Sequence, residues 1–231
     1  MADVADVHIV RVFTDPQGLF GNNLGVVLDA SEYDAAAGSR LAAHLGFSEV
    51  VFVDDVAAAR LRIFTPKAEL ALAGHPLVGT AWLLGRLTGQ QFSTLRPAQS
   101  AEVATWTEDG RTWIRGRVRD APDWGLVQME DDGKVEMLPI PPGPEYVRHQ
   151  FWAWLDEPAG VMRARVFASQ SGTPEDEATG SAAMRQAVAQ NRRLVIRQGW
   201  GSEVLARPAS QAGWAEIGGR VASDGMRSVR I

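Results

Sequence analysis

Six residues carry the chemistry this chain could do. Glu49 adjoins the apolar run Val50 to Val53, so an ionisable carboxyl stands at the edge of a strand expected to be buried. Burial disfavours the anion and raises a carboxylic pKa, which is how a general acid or base is tuned for neutral pH; the competing reading is a surface glutamate at a strand start. His75, in Gly74-His75-Pro76 at an expected helix start, reads either as a catalytic imidazole or as a local cap. Asp176, between Glu175 and Glu177 ahead of Thr179-Gly180-Ser181, could orient a substrate amine or relay a proton, or simply offset a helix dipole. Gly74 and Gly180-Ser181 each open a helix whose first-turn N–H groups lack intrahelical partners. Two such ends facing one cleft would hold a carboxylate or phosphate, whereas as turn glycines alone they need no ligand.

The residue types that are absent narrow the chemistry further. The chain has no cysteine, which removes disulfides, thiolate metal sites and any thiol acting as nucleophile or base. No Gly-x-Gly-x-x-Gly follows a strand, no phosphate-binding Walker sequence exists, and neither His-x-x-x-His nor a carboxylate spacing suggests a metal. No nucleophile elbow of the Gly-x-Ser-x-Gly kind favours a hydrolase. What remains is acid–base chemistry with no cofactor and no metal. With 23 Lys and Arg against 28 Asp and Glu, a net charge of -5, nucleic acid is not an expected partner. The longest uncharged apolar stretch, Leu70 to Gly85, is 16 residues and falls short of the roughly 18 that a membrane span needs. Asp3 and Asp6 open the chain where a secretory signal would be basic and then apolar, so a cytoplasmic location is the default expectation.

These residues must be held by strands and a few helices. Val7 to Val12, Gly25 to Leu28 after the Gly21-Asn22-Asn23 turn, and Val50 to Val53 read as strands. Three hairpins are expected: Val103 to Thr107 with Arg111 to Val118 across Glu108-Asp109-Gly110, Leu126 to Met129 with Val135 to Leu138 across Asp132-Gly133, and Ala215 to Val221 with Ser228 to Ile231 across Asp224-Gly225. Pro76 to Leu87 reads as a helix apolar on almost every face, hence buried, while Ala35 to Leu45 and Ser181 to Gln190 read as amphipathic helices. Eight tryptophans are spread over both halves and read mostly as packing; Trp152 and Trp154, taken as exposed, hint at an interface.

An internal echo organises the whole. Arg62-Ile63-Phe64-Thr65-Pro66 precedes Gly74-His75 and a helix, and Arg165-Val166-Phe167-Ala168-Ser169 precedes Gly180-Ser181 and a helix, 103 residues apart at the arginines and 106 at the glycines. The 231 residues amount to about 1.5 typical domains, so two copies imply a pseudo-twofold pair of α+β lobes, each wrapping strands around its own helix. The boundary falls near Pro122, giving residues 1–121 with Glu49 and His75 and residues 122–231 with Asp176 and Ser181, the last strand being free to return to the first lobe.

Phe47-Ser48-Glu49-Val50-Val51-Phe52-Val53, then Arg62-Ile63-Phe64-Thr65-Pro66-Lys67-Ala68-Glu69 leading to Gly74-His75, then Glu175-Asp176-Glu177-Ala178-Thr179-Gly180-Ser181-Ala182, resemble the signatures of the PhzF family of phenazine-biosynthesis-like isomerases. Gly21-Asn22-Asn23, Ile196-Arg197-Gln198-Gly199 and Arg207-Pro208 extend the likeness over most of the chain. The resemblance implies a diaminopimelate-epimerase-like α+β fold of two pseudo-symmetric lobes, each a curved mixed β-sheet around a central helix, with the site between them. It implies further that Glu49 is the single base that removes a proton and returns it on the same face. His75 and Asp176 would assist, and Ser181 with the Gly74 and Gly180 backbone would bind a small carboxylated metabolite. Family members are often dimers, so a homodimer is an allowed partner state. The chain departs from the pattern at Pro76, where alanine is usual, and at Glu177, where proline is usual. The stretch from Leu126 to Arg163 is also short, so the second lobe is expected to lack a helix and a strand. A binding or assembly module that has lost catalysis is the alternative, and the retention of Glu49, His75 and Asp176 together argues for the enzyme.

Overall fold

The computed structural model describes residues 4–169 and 173–230. The first lobe contains β1 (Val4–Thr14), β2 (Asn22–Val27), α1 (Ala35–Leu45), β3 (Glu49–Asp55), β4 (Arg60–Phe64), β5 (Glu69–Leu70), α2 (Gly74–Thr88), β6 (Thr94–Pro97), β7 (Val103–Glu108) and β8 (Arg111–Arg117). The second contains β9 (Gly125–Gln128), α3 (Asp132–Glu136), β10 (His149–Asp156), β11 (Val161–Ala168), β12 (Thr173–Asp176), α4 (Gly180–Gln190), β13 (Leu194–Gln198) and β14 (Ser202–Pro208), and the last strand, β15 (Trp214–Arg230), is shared, pairing with β14 of the second and with β8 and β1 of the first. The strands pair in the order β1, β2, β3, β4, β6, β7, β8, β15, β14, β13, β11, β10, β9, and β15 also pairs with β1, which closes the first lobe into a barrel.

The pairing pattern repeats between the halves. β2–β3 is parallel, β3–β4 antiparallel and β4–β6 parallel; β9–β10, β10–β11 and β11–β13 follow the same sequence of orientations. This is the α+β fold of two pseudo-symmetric lobes, each a mixed sheet around a central helix, and the central helices are α2 and α4.

α2 is apolar nearly all round because strands surround it. Its residues from Gly74 to Ala81, with Leu83 and Leu84, are buried. Each fully buried leucine or valine there contributes about 1.5–3 kcal/mol relative to solvent exposure. β1 serves two cores in turn: Ala5, Val7 and Ile9 face a smaller cluster under α1, and Val10 and Val12 face the main cluster around α2. The switch of face coincides with a register shift between Ile9 and Val10.

That shift corrects one expected hairpin. Asp224-Gly225 does not turn the chain, since β15 runs straight through it and pairs along β1. Ile9 lies opposite Gly225 and Val10 opposite Ser223, so Asp224 is the extra residue of a bulge, and its carboxylate accepts from Arg11 Nε at 2.8 Å. Ile231, the end of that expected hairpin, lies outside the described residues. The Asp132-Gly133 hairpin is also corrected: β9 pairs in parallel with β10, and Asp132 to Glu136 form the short helix α3. The deciding residue is Asp131, whose side chain accepts from Lys134 N at 2.8 Å and caps a helix where a turn was expected. The first hairpin stands, β7 and β8 being joined by Asp109 and Gly110 with φ of 52° and 69°.

The two echo arginines are structural. Arg62 pairs with Asp54 at 2.7 Å and donates to the Ala30 and Tyr33 carbonyls ahead of α1. Arg165 pairs with Glu175 at 2.7 Å and donates to the Val135, Glu136 and Leu138 carbonyls at the end of α3. Each thus ties a peripheral helix to its sheet. The shortening of the second lobe is visible here: α3 has 5 residues where α1 has 11, and among the described residues no strand corresponding to β1 stands between β8 and β9. Trp152 is 3% exposed and packs edge-on against the partly buried Trp154, so this pair belongs to the core and marks no interface.

Candidate active site

Glu49 is the first residue of β3 and lies opposite Leu24 of β2, which sets its carboxyl beside the first turn of α2. His75, the second residue of α2, is buried, and its Nε2 is 3.7 Å from Glu49 Oε2. That nitrogen has no hydrogen-bond partner, while the ring bonds to the Asn23 backbone. The remaining nitrogen, Nδ1, therefore donates to the Asn23 carbonyl and leaves Nε2 as a bare acceptor. Burial pushes the imidazole pKa down to about 3, so His75 is neutral at physiological pH.

Asp176, at the end of β12, is held by both lobes. Its carboxylate accepts from Asn22 Nδ2 and from Thr179 Oγ1, each at 2.6 Å. Gln198 fixes this arrangement, donating to the Asp176 carbonyl at 2.8 Å and to Thr179 Oγ1 at 2.9 Å. The aspartate is therefore a cross-lobe hydrogen-bond acceptor, not a cap for α4. Burial raises it to about 6, against the opposing pull of the Thr179 and Asn22 hydrogen bonds. Burial raises Glu49 further, to about 8, and the negative charge of Asp176 adds to the effect. At neutral pH one carboxyl is mostly protonated and the other mostly ionised, an asymmetry suited to acid–base work.

The two helix starts meet. A Cβ added at Gly74 would lie 2.7 Å from Gly180 Cα, and one added at Gly180 would lie 2.9 Å from Gly74 Cα. Only glycine allows this approach. Neither Ala73 nor Thr179, the residues preceding the helices, caps with a side chain, and neither first turn carries an acid. The first N–H groups of both helices are thus left to a ligand, at the positive ends of two converging dipoles. Ser181 Oγ accepts from Trp124 Nε1 at 2.9 Å.

Glu49, His75, Gly74, Asp176, Gly180 and Ser181 all line one cavity of about 110 Å³, together with Ser48, Thr65, Trp124, Arg148, Thr173 and Thr179. It is smaller than the roughly 300–1,000 Å³ usual for drug-sized ligands and suits a small metabolite. Sequence reasoning did not single out Trp124, Arg148 or Thr179 for the site, nor Gln198 behind it. Trp124 had one available signal, its place beside Pro122 at the junction of the halves. Glu177, at the position where proline is usual, turns away to accept from Trp200 N at 3.0 Å and Ser202 Oγ at 2.7 Å. Among the described residues no three His, Asp or Glu side chains gather as metal ligands.

The family described as phenazine biosynthesis-like protein matches residues 10–122. Trans-2,3-dihydro-3-hydroxyanthranilate isomerase of Pseudomonas aeruginosa is 30% identical over 223 residues, covering 81% of this chain and 80% of that one. An uncharacterized isomerase of Deinococcus radiodurans is 32% identical over 241 residues, covering 81% and 77%. The crystal structure of a PhzF-family protein from Bacillus anthracis aligns with a TM-score of 0.79 at 22% identity, over 99% of this chain and 100% of that one. A hydroxyproline epimerase from Agrobacterium vitis, solved with bound trans-4-hydroxy-L-proline, aligns with a TM-score of 0.62 at 12% identity over 99% and 93%.

Proposed function

Because the chain belongs to the PhzF family of phenazine biosynthesis-like isomerases, we propose that it isomerises a small carboxylated metabolite by proton transfer at Glu49, without a cofactor. The observation that carries this reading is the Glu49 carboxyl, half-buried beside the bare Nε2 of His75 in a cavity floored by two helix N-termini. The site lies between the lobes, which we divide at residues 1–121 and 122–231.

In this reading the substrate carboxylate accepts from the backbone N–H groups at Gly74 and Gly180 and from the Ser181 hydroxyl, which is oriented by Trp124. That anchors the carbon acid over Glu49. The ionised Glu49 takes the proton, and the developing negative charge is spread toward the same helix ends that bind the carboxylate. Glu49, now neutral, returns the proton to another carbon on the same face, one carboxyl serving first as base and then as acid. His75, neutral and with its bare Nε2 3.7 Å from Glu49 Oε2, packs beside the carboxyl without adding a charge to the cavity. Asp176 orients a substrate amine or hydroxyl while holding Asn22 and Thr179 across the lobe junction.

The test is proton exchange in deuterated solvent with candidate carbon acids, wild type against Glu49→Gln. The substitution keeps shape and removes titration, and turnover is expected to fall by at least about 100-fold, the usual loss of general acid–base catalysis. Equal exchange in the two proteins would make the chain a binding module.

A further inference from the structure

The cavity holds one positive side chain that neither the carboxyls nor the helices use. Arg148 stands immediately before β10, is half-buried and lines the cavity. Its guanidinium has neither a hydrogen bond nor an ion pair among the described residues. Arg62, Arg165 and Arg207 are paired, with Asp54, Glu175 and Glu216, and half-buried Arg117 stacks over the Trp214 ring, whereas Arg148 has neither kind of partner among the described residues. A partly desolvated guanidinium left unpaired costs free energy, a cost offset when a ligand supplies the missing acceptor.

The acids in the cavity do not fill that role. Glu49 is shifted by its burial, by Asp176 and by a hydrogen bond from Ser48, and the contacts that stabilise the Asp176 anion are Thr179 and Asn22. Among the described residues Arg148 makes no ion pair or hydrogen bond with either carboxyl. The helix ends at Gly74 and Gly180 already provide for one carboxylate. With one carboxylate provided for at the helix ends, the Arg148 guanidinium, a fork of N–H donors lining the same cavity of about 110 Å³, is left to take a second planar or tetrahedral oxyanion on the same small molecule.

We infer that Arg148 is a specificity-determining residue and that the substrate is a small acid bearing two oxyanions, one held at the Gly74 and Gly180 helix ends and the other by the Arg148 guanidinium. This rests on the proton-transfer reading for the placement of the first carboxylate. It goes beyond that reading in naming the second group.

The experiment titrates the full chain with succinate, 3-phosphonopropionate and butyrate, which share a chain length and differ in the second end group. Wild type binds at least one of the two dianions tighter than butyrate, and which one shows whether the second oxyanion is a carboxylate or a phosphate-like group. In Arg148→Gln that preference falls about 10- to 100-fold while butyrate affinity changes less than about 2-fold. Arg148→Lys, which keeps the charge without the fork, retains part of it and serves as the reporter should Arg148→Gln not fold. Equal weakening of all three ligands would make Arg148 a packing residue, and no preference in wild type or no loss in the variants would equally overturn the inference. Glu49→Gln run alongside separates the two readings: it is expected to bind the dianion yet lose proton exchange. Unchanged exchange in that variant removes the proton-transfer reading whatever Arg148 does.

Discussion

Replacing Glu49 by glutamine should make the protein more stable at alkaline pH and inactive at every pH. Burial raises the carboxyl from 4.5 to about 8 in the folded chain. The folded state therefore binds this proton more tightly than the unfolded one, and between those two values it holds protons the unfolded chain has released. Stability from this group is fully present below pH 4.5 and is lost as pH rises through 8. At about 1.36 kcal/mol per pKa unit, the whole window is worth about 5 kcal/mol. Glutamine does not titrate, so the difference in unfolding free energy between variant and wild type should grow in the variant's favour by about 4–5 kcal/mol from pH 4 to pH 9. Urea denaturation at pH 4, 5, 6, 7, 8 and 9 measures it: the repulsion between Glu49 and Asp176 is part of the difference, and the remaining acids titrate in both proteins and cancel to first order. Parallel curves for the two proteins would refute the claim that Glu49 is held in a desolvated site. A stabilised, inactive variant is the signature of a group kept under strain for function.

Because the base must be ionised, kcat/KM should climb tenfold per pH unit below an apparent pKa near 8 and level off above it, as read from initial rates across pH 5 to 10. Gly180→Ala would drive a methyl group to within 2.9 Å of Gly74 Cα; it should cost about 1–3 kcal/mol by thermal or chemical denaturation and abolish carboxylate binding by parting the helix ends. Asp176→Asn replaces one acceptor oxygen with a donor facing Asn22 or Thr179, so a loss of about 1–3 kcal/mol near pH 8 is expected in the same assay. Activity should survive exhaustive dialysis and chelators, and a requirement for added metal or cofactor would count against proton transfer by Glu49 alone.

Much of this protein was legible before folding was considered. The run Val50 to Val53 with Glu49 at its edge, the Ala35 to Leu45 helix and the two Arg-to-Gly echoes are local patterns, and local periodicity and turn chemistry specify them. The repeat of strand orientations then follows from the repeat of sequence. What local pattern could not resolve were cases where a distant contact overrides a turn signal. Asp224-Gly225 has the composition of a hairpin turn, and only the 11-residue β1 lying alongside, with Arg11 drawing the Asp224 carboxylate, makes it a bulge in a continuous strand. Asp132-Gly133 is likewise a helix start because Asp131 caps it and Arg165, 30 residues on, collects its carbonyls. The site belongs to the same class. The residue types of Glu49, His75 and Asp176 were visible in the sequence, but their charge states were not, because a pKa depends on which groups exclude water and lie within a few ångströms. Desolvation of Glu49, the cross-lobe bond from Asn22 to Asp176 and the contact of Gly74 with Gly180 join segments more than 100 residues apart, and only tertiary packing brings them within reach.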